Sequence, residues 1–233
     1  MIVYNEIIAL TVGIGLIGTV LFGRMILRNR MPDSEGWAGF FGVTGAIMTA
    51  LGLTTTVMWP YGGDGFEYAN IQFGQPALAF GLLSLFWAIY LWRHRELFAN
   101  KTAIGTKVMK AHVLRALKPV SLFVFAAGLM MATLAISWLR YTLGAAPEVE
   151  PISGLAHAYP ILESLFLFGL WGLVAVGALL FPLAINRMNK NVLKTVYITW
   201  MVAGIVFLAF GAMNFYTHIG MYTNINHGTE YRI

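Results

Sequence analysis

Residues 160–186 read PILESLFLFGLWGLVAVGALLFPLAIN. The stretch carries one charged residue, Glu163, near its start, and no other charge as far as Asn186. A hydrocarbon core of about 30 Å is crossed by roughly 20 apolar residues in an α-helix, so this stretch is long enough to span a bilayer. Five more stretches read the same way, at about 5–27, 37–60, 75–93, 118–141 and 191–218. None shows the short alternating pattern of a barrel strand. Lipid offers the backbone no hydrogen-bond partners, so helices are the remaining way across. The expected fold is all-α: a polytopic membrane protein with six transmembrane helices in a single domain, residues 1–233.

The whole composition agrees. Of 233 residues, 58% are hydrophobic and 11% charged, and the mean hydropathy is +0.71. Soluble domains carry about 25% charged residues, so a soluble enzyme, a disordered chain and a nucleic-acid binder are excluded. The absence of Cys removes disulfides, thiolate metal sites and Cys nucleophiles. The opening MIVYNE lacks a basic region and places Glu6 where a signal peptide would be positive. The first stretch is therefore expected to stay as a helix.

Thirteen of the fifteen Lys and Arg fall in the connections after the first, third and fifth helices, leaving Arg140 and Arg232 on the other side. Seven of the ten acids (Glu6, Asp64, Glu67, Glu148, Glu150, Glu163 and Glu230) lie at that other side. The positive-inside rule makes the three basic connections cytoplasmic and both termini outward. In the longest basic connection, Ile104, Val108, Met109, Val113, Leu114 and Leu117 alternate with Lys107, Lys110 and Arg115 at helical spacing. A short cytoplasmic amphipathic helix is expected there, with His112 on its polar face.

Small residues mark close helix contacts in lipid. Ala38, Gly42, Ala46, Ala50 and Thr54 make a four-residue stripe on the second helix, Gly15, Thr19 and Gly23 on the first, and Gly128 and Ala132 on the fourth. These stripes are expected to be buried seams. Trp37, Trp59, Trp92 and Trp138 fall near helix ends, as in an interfacial belt.

Polar residues at membrane depth are the candidates for chemistry, and they gather in the outer half. The last two helices form a tight hairpin at 187–190, so residues whose numbers total about 375 lie level across it. That places His157 level with His218, and Glu163 beside Asn214. His227 follows in a polar tail, and the 60–75 loop adds Tyr61, Asp64, Glu67, Tyr68, Asn70 and Gln72. The candidate cofactor-binding residues are His157, His218, Glu163 and Asn214, and the candidate metal ligands are His157, His218 and His227. Imidazoles with a carboxylate suit zinc or iron, and imidazoles with Met sulfur suit copper. The same groups would serve a haem b or a quinol, and Glu163 alone would serve an ion path. Each residue also has an ordinary reading. Glu163 falls in the first turn of a helix opened by Pro160, where the dipole stabilises a carboxylate. The imidazoles sit at interfacial depth, where they cost little. No HExxH, P-loop or nucleophile motif is present.

Two stretches carry a family likeness: GWAGFFGVTGAIMTALGLTTTVMWP (36–60) and ANIQFGQPALAFGLLSL (69–85). Together they resemble the prokaryotic membrane-protein family known as domain of unknown function 981. The resemblance implies a small multi-pass membrane protein and no established activity, so no functional residues come with it.

The leading functional expectation is an accessory or cofactor-binding subunit of a membrane redox complex in the cell membrane, with a His/Glu/Tyr site near the outer face. Its partners would be lipid and other membrane subunits or further copies of itself. The rivals are a small transporter or channel using Glu163 and a purely structural membrane subunit. The topology is open to direct test because the chain has no Cys. A membrane-impermeant thiol reagent applied to intact cells should label Phe66→Cys and spare Lys101→Cys; the reverse pattern would invert the orientation.

Overall fold

The computed structural model describes residues 5–61, 65–144 and 146–226, and of residue 227 the backbone. Among these the regular structure is helical, with no strand. In chain order the helices are α1 (Asn5–Leu27), α2 (Ser34–Met58), α3 (Gln75–Arg93), α4 (Arg95–Ala99), α5 (Ala103–Arg140), α6 (Pro160–Arg187) and α7 (Lys190–His227). All but α4 are long and apolar enough to cross a membrane. Val43, Leu122, Ile136 and Ile205 are more than half exposed, an outward apolar surface that suits lipid rather than water.

Local chemistry sets the helix ends. Asp33 caps α2 by accepting from the N–H groups of Glu35 and Gly36 at 3.3 Å, and Thr102 caps α5 through Gly105 N–H at 3.0 Å. Between α6 and α7, Met188 turns left-handed at φ 49° and Asn189 Oδ1 accepts from Asn191 N–H at 2.9 Å. A π-helical turn, Asn70–Gly74, leads into α3. Pro76 lacks the N–H that a continuous α-helix would direct at the Gln72 carbonyl, and the wider turn absorbs the mismatch.

The amphipathic stretch at 104–117 is not a separate helix. It forms the first turns of α5, which runs unbroken for 38 residues through Pro119. Met109 and Val113 are buried there beside Phe22, Ile26, Phe41, Tyr90 and Leu91. Anchorage on α1 and α3 thus holds this segment in line with the span. Lys110 Nζ donates to the Leu27 carbonyl at 3.0 Å and closes the C-terminus of α1.

The helices form a ring in the order α3, α2, α1, α7, α6, α5, with α2/α3, α5/α6 and α1/α7 as the intimate pairs. Backbones nearly touch at the intimate seams. A Cβ on Gly13 would fall on the Leu208 backbone, and one on Gly52 would fall on Leu78. The expected stripe on α2 is turned about one residue from the real seam: Ala46 and Ala50 are exposed, while Gly45, Met48, Gly52 and Thr55 are buried. Gly23 meets nothing. Gly128 does sit against Ala178 and Leu179 of α6.

Between α3 and α5 contact is sparse. They are tied near the acidic end, where the amide of Gln72, in the π-helical turn leading into α3, donates to Ser137 Oγ at 2.6 Å. They meet again at the basic end, where the His94 and His112 rings lie 4.7 Å apart and the Tyr90 ring contacts both, tilted against His94 and edge-on to His112. The ring encloses a cavity of about 950 Å³. Its acidic end is plugged by aromatic rings in contact, Tyr68–Trp138–Trp171–Phe207, with Phe73 against both tryptophans. Trp138, 2% exposed, therefore belongs to this plug and not to an interfacial belt.

The close seams carry a prediction. Gly13→Val forces a branched side chain into the α7 backbone and should destabilise the protein by about 1–3 kcal/mol or more. Gly23→Ala has open space and should be neutral or stabilising by up to about 1 kcal/mol. Thermal unfolding of the two variants in one detergent checks both, and equal melting temperatures would refute the seam assignment.

Candidate functional site

The acidic end, where α1 starts and α7 finishes, gathers the buried polar groups. The antiparallel α1/α7 seam brings Glu6, in the first turn of α1, against His218. Glu6 Oε1 lies 2.7 Å from His218 Nδ1, a charge-assisted hydrogen-bond length. From the connection between α5 and α6, Glu150 Oε1 approaches the other ring nitrogen, Nε2, at 3.8 Å. The three side chains are only 8–12% exposed, and each faces another member of the group. Asn224 Nδ2 donates to the Val149 carbonyl at 2.8 Å and fixes the loop that carries Glu150. With Glu6 ionised, Nδ1 carries the imidazole proton. The arrangement is a hydrogen-bonded carboxylate–imidazole pair with a second carboxylate facing the far ring nitrogen.

A second group holds the same connection to the bundle. Tyr68 donates to the Leu143 carbonyl at 2.6 Å, and Ser164 Oγ accepts from Gly144 N–H at 2.9 Å. Glu163 Oε2 accepts from Ala146 N–H at 2.8 Å, and His157 Nδ1 donates to the Ala146 carbonyl at 2.8 Å. Burial, reinforced by the nearby Glu163 carboxylate, pushes the Tyr68 phenol up to about 12. Asn70, fully buried, exchanges hydrogen bonds with both backbone groups of Tyr61 and so pins the preceding loop.

The hairpin register expected between the last two spans is present in the bundle. Trp200 Nε1 donates to the Val174 carbonyl at 3.2 Å, and the Phe166 and Phe210 rings lie 5.5 Å apart. Equal depth does not mean a shared face, however. His157 lies at the end of a 3₁₀ turn (Ser153–Ala156) and stays exposed, while His218 points at α1. Asn214 is buried one turn below His218 on α7. Among the described residues no hydrogen bond or ion pair joins His157 to His218, or Glu163 to either imidazole. Nor is any group of three or more His, Asp or Glu among them arranged to hold a metal ion. The His227 side chain and Asp64 lie outside the described residues.

Sequence reasoning left Glu6 and Glu150 out of the site. Glu6 had a usable signal, since it is an acid in the first turn of a largely apolar span, as Glu163 is. Glu150 had none, because only the folded loop brings it to His218. The His94–His112 pair at the basic end was equally hidden, as its members belong to different helices.

The phenol of Tyr68 yields a pH prediction. Its raised value means stability that is full below about pH 10 and lost as pH climbs towards 12. Difference ultraviolet titration of the wild type against Tyr68→Phe should show one phenol titrating late. Glu163→Gln should bring that midpoint down, and an unmoved midpoint would separate Glu163 from Tyr68.

No curated protein and no solved structure matches the chain. A family model described as a protein of unknown function, domain of unknown function 981, matches residues 1–221, and the chain belongs to that family.

Proposed function

We propose that this integral membrane protein is a proton-handling subunit of a membrane redox complex, with its site at the outer face of the cell membrane. The observation that carries the reading is the buried Glu6–His218–Glu150 chain. Buried ionisable groups at membrane depth are costly and tend to serve proton or ion movement. No Lys or Arg forms an ion pair with either acid among the described residues, so the imidazole is their partner.

Of the cofactors that the residue types suit, a quinol in a neighbouring subunit fits this site best. Quinol oxidation releases protons at the membrane surface and needs a base to accept them. A copper or other metal centre, or a haem b, would need imidazole nitrogens turned to a common point. Here His218 is turned to two carboxylates and His157 to the Ala146 carbonyl. Asn214 buries an amide beneath His218, and Glu163 and His157 hold the lid of the site, so their roles are positional. A conducting path through Glu163 is less well supported, because that carboxylate is tied to Ala146 and does not line the central cavity.

The test is purification from the native membrane in mild detergent, with identification of co-purifying chains and assay of quinol oxidation. The expected result is association with redox subunits. His218→Ala should then lower turnover about 100-fold or more, the scale of a lost acid–base group, with the complex still assembled. A chain that purifies alone, or unchanged turnover in an intact complex, would overturn the reading.

A further inference from the structure

The central cavity makes no use of the acidic-end site and calls for its own account. Along α1 its lining runs from Ile8 to Arg28, about 30 Å of helix and the thickness of a hydrocarbon core. Its wall presents hydrocarbon: Leu16, Val20, Phe80, Leu83, Val124 and Met131 are typical. The hydroxyls of Thr19 and Ser84 on it are turned away to their own helices, Thr19 to the Gly15 carbonyl and Ser84 to the Phe80 carbonyl, each at 2.9 Å.

The basic end differs in kind. Arg24 of α1, Arg28 just beyond it, and Lys190 and Lys194 of α7 all line it. None of the four makes an ion pair with a carboxylate among the described residues. Arg24 is oriented by Tyr197, whose hydroxyl lies 3.0 Å from Nη1 and whose ring centre lies 5.4 Å from the guanidinium carbon. An oily chamber ending in four cations is complementary to an amphiphile with a long chain and an anionic head. Two of the cations are guanidinium groups, which match phosphate geometry in two-point hydrogen bonding.

Access is built in as well. The sparse contact between α3 and α5 lies between two ties, Gln72–Ser137 and Tyr90–His94–His112, and both helices face the cavity between them. A chain entering there comes directly from the bilayer.

We propose that the cavity is a binding site for an anionic phospholipid of the surrounding membrane. An acyl chain enters between α3 and α5 and lies along α1, and the phosphate rests against Arg24, Arg28, Lys190 and Lys194. The inference stands apart from the proton-handling reading, and Glu6→Gln should leave lipid binding unchanged.

Trp87, Trp171 and Trp200 line the cavity and make binding visible, because bromine on an acyl chain quenches a tryptophan that it touches. Purified protein is titrated in mixed micelles with phosphatidylglycerol brominated along its chain. Parallel titrations use equally brominated phosphatidylcholine and a brominated free fatty acid. The expected result is saturable quenching by phosphatidylglycerol alone. Arg28→Gln/Lys194→Gln, which alters two exposed residues and no buried contact, should weaken it about 30-fold, the effect of two surface charges. Ala127→Trp, which puts a bulky ring on the cavity-facing wall of α5, should abolish saturation while the protein still elutes as folded. Equal quenching by phosphatidylcholine would reduce the cavity to lipid-filled space and overturn the proposal. Tighter binding of the free fatty acid would overturn the phospholipid assignment, and so would charge variants that bind as the wild type does.

Discussion

Inside a bilayer, helices gain nothing by hiding apolar surface from one another, so they hold together only where their surfaces come very close. That constraint shapes the whole molecule. Gly13 against Leu208 and Gly52 against Leu78 let backbones approach to the limit, and the α1/α7 and α2/α3 pairs follow from them. Gly128 does the same for α5 and α6. Where the inward residues are large, as with Phe80, Leu83 and Trp87 on α3, no such approach occurs and the ring stands apart around a cavity.

The same constraint governs the polar groups. The connections at the acidic end would leave many carbonyl and N–H groups near lipid without partners, and side chains answer them individually. Tyr68, Ser164, Glu163 and His157 bind the backbone between Leu143 and Ala146, and Asn70 and Asn224 do the same elsewhere. These polar residues of the acidic end are therefore occupied in building the loop. The Glu6–His218–Glu150 chain differs because its members bind one another through side chains alone.

Much of this was readable from the chain itself. Hydrophobic length is a one-dimensional property, and the span reading 160–186 became α6 at Pro160–Arg187 within one residue. Hairpin depth was also readable, because the α6–α7 connection is short and the helical rise is constant. Rotation was not. A helical position turns by about 100° per residue, so a stripe taken one residue off, as on α2, puts Ala46 on the outside and Gly45 in the seam. His218 was placed at the right level but without Glu6, since the partner depended on which helix α7 would pack against. Its other partner depended on a long irregular connection, for which sequence periodicity offers no guide. The cavity was hidden for a related reason: an apolar residue facing a void and one facing lipid look alike in sequence.

The aromatic plug has an electrical consequence. Tyr68, Phe73, Trp138, Trp171 and Phe207 form a continuous layer of rings drawn from four segments of the chain. Neither indole N–H of Trp138 and Trp171 has a hydrogen-bond partner among the described residues, so no chain of donors and acceptors passes through it there. The layer separates the acidic cap from the oily chamber. Protons have no donor–acceptor relay through these two indoles, and α1 and α7 are the helices that run past the layer from one end to the other.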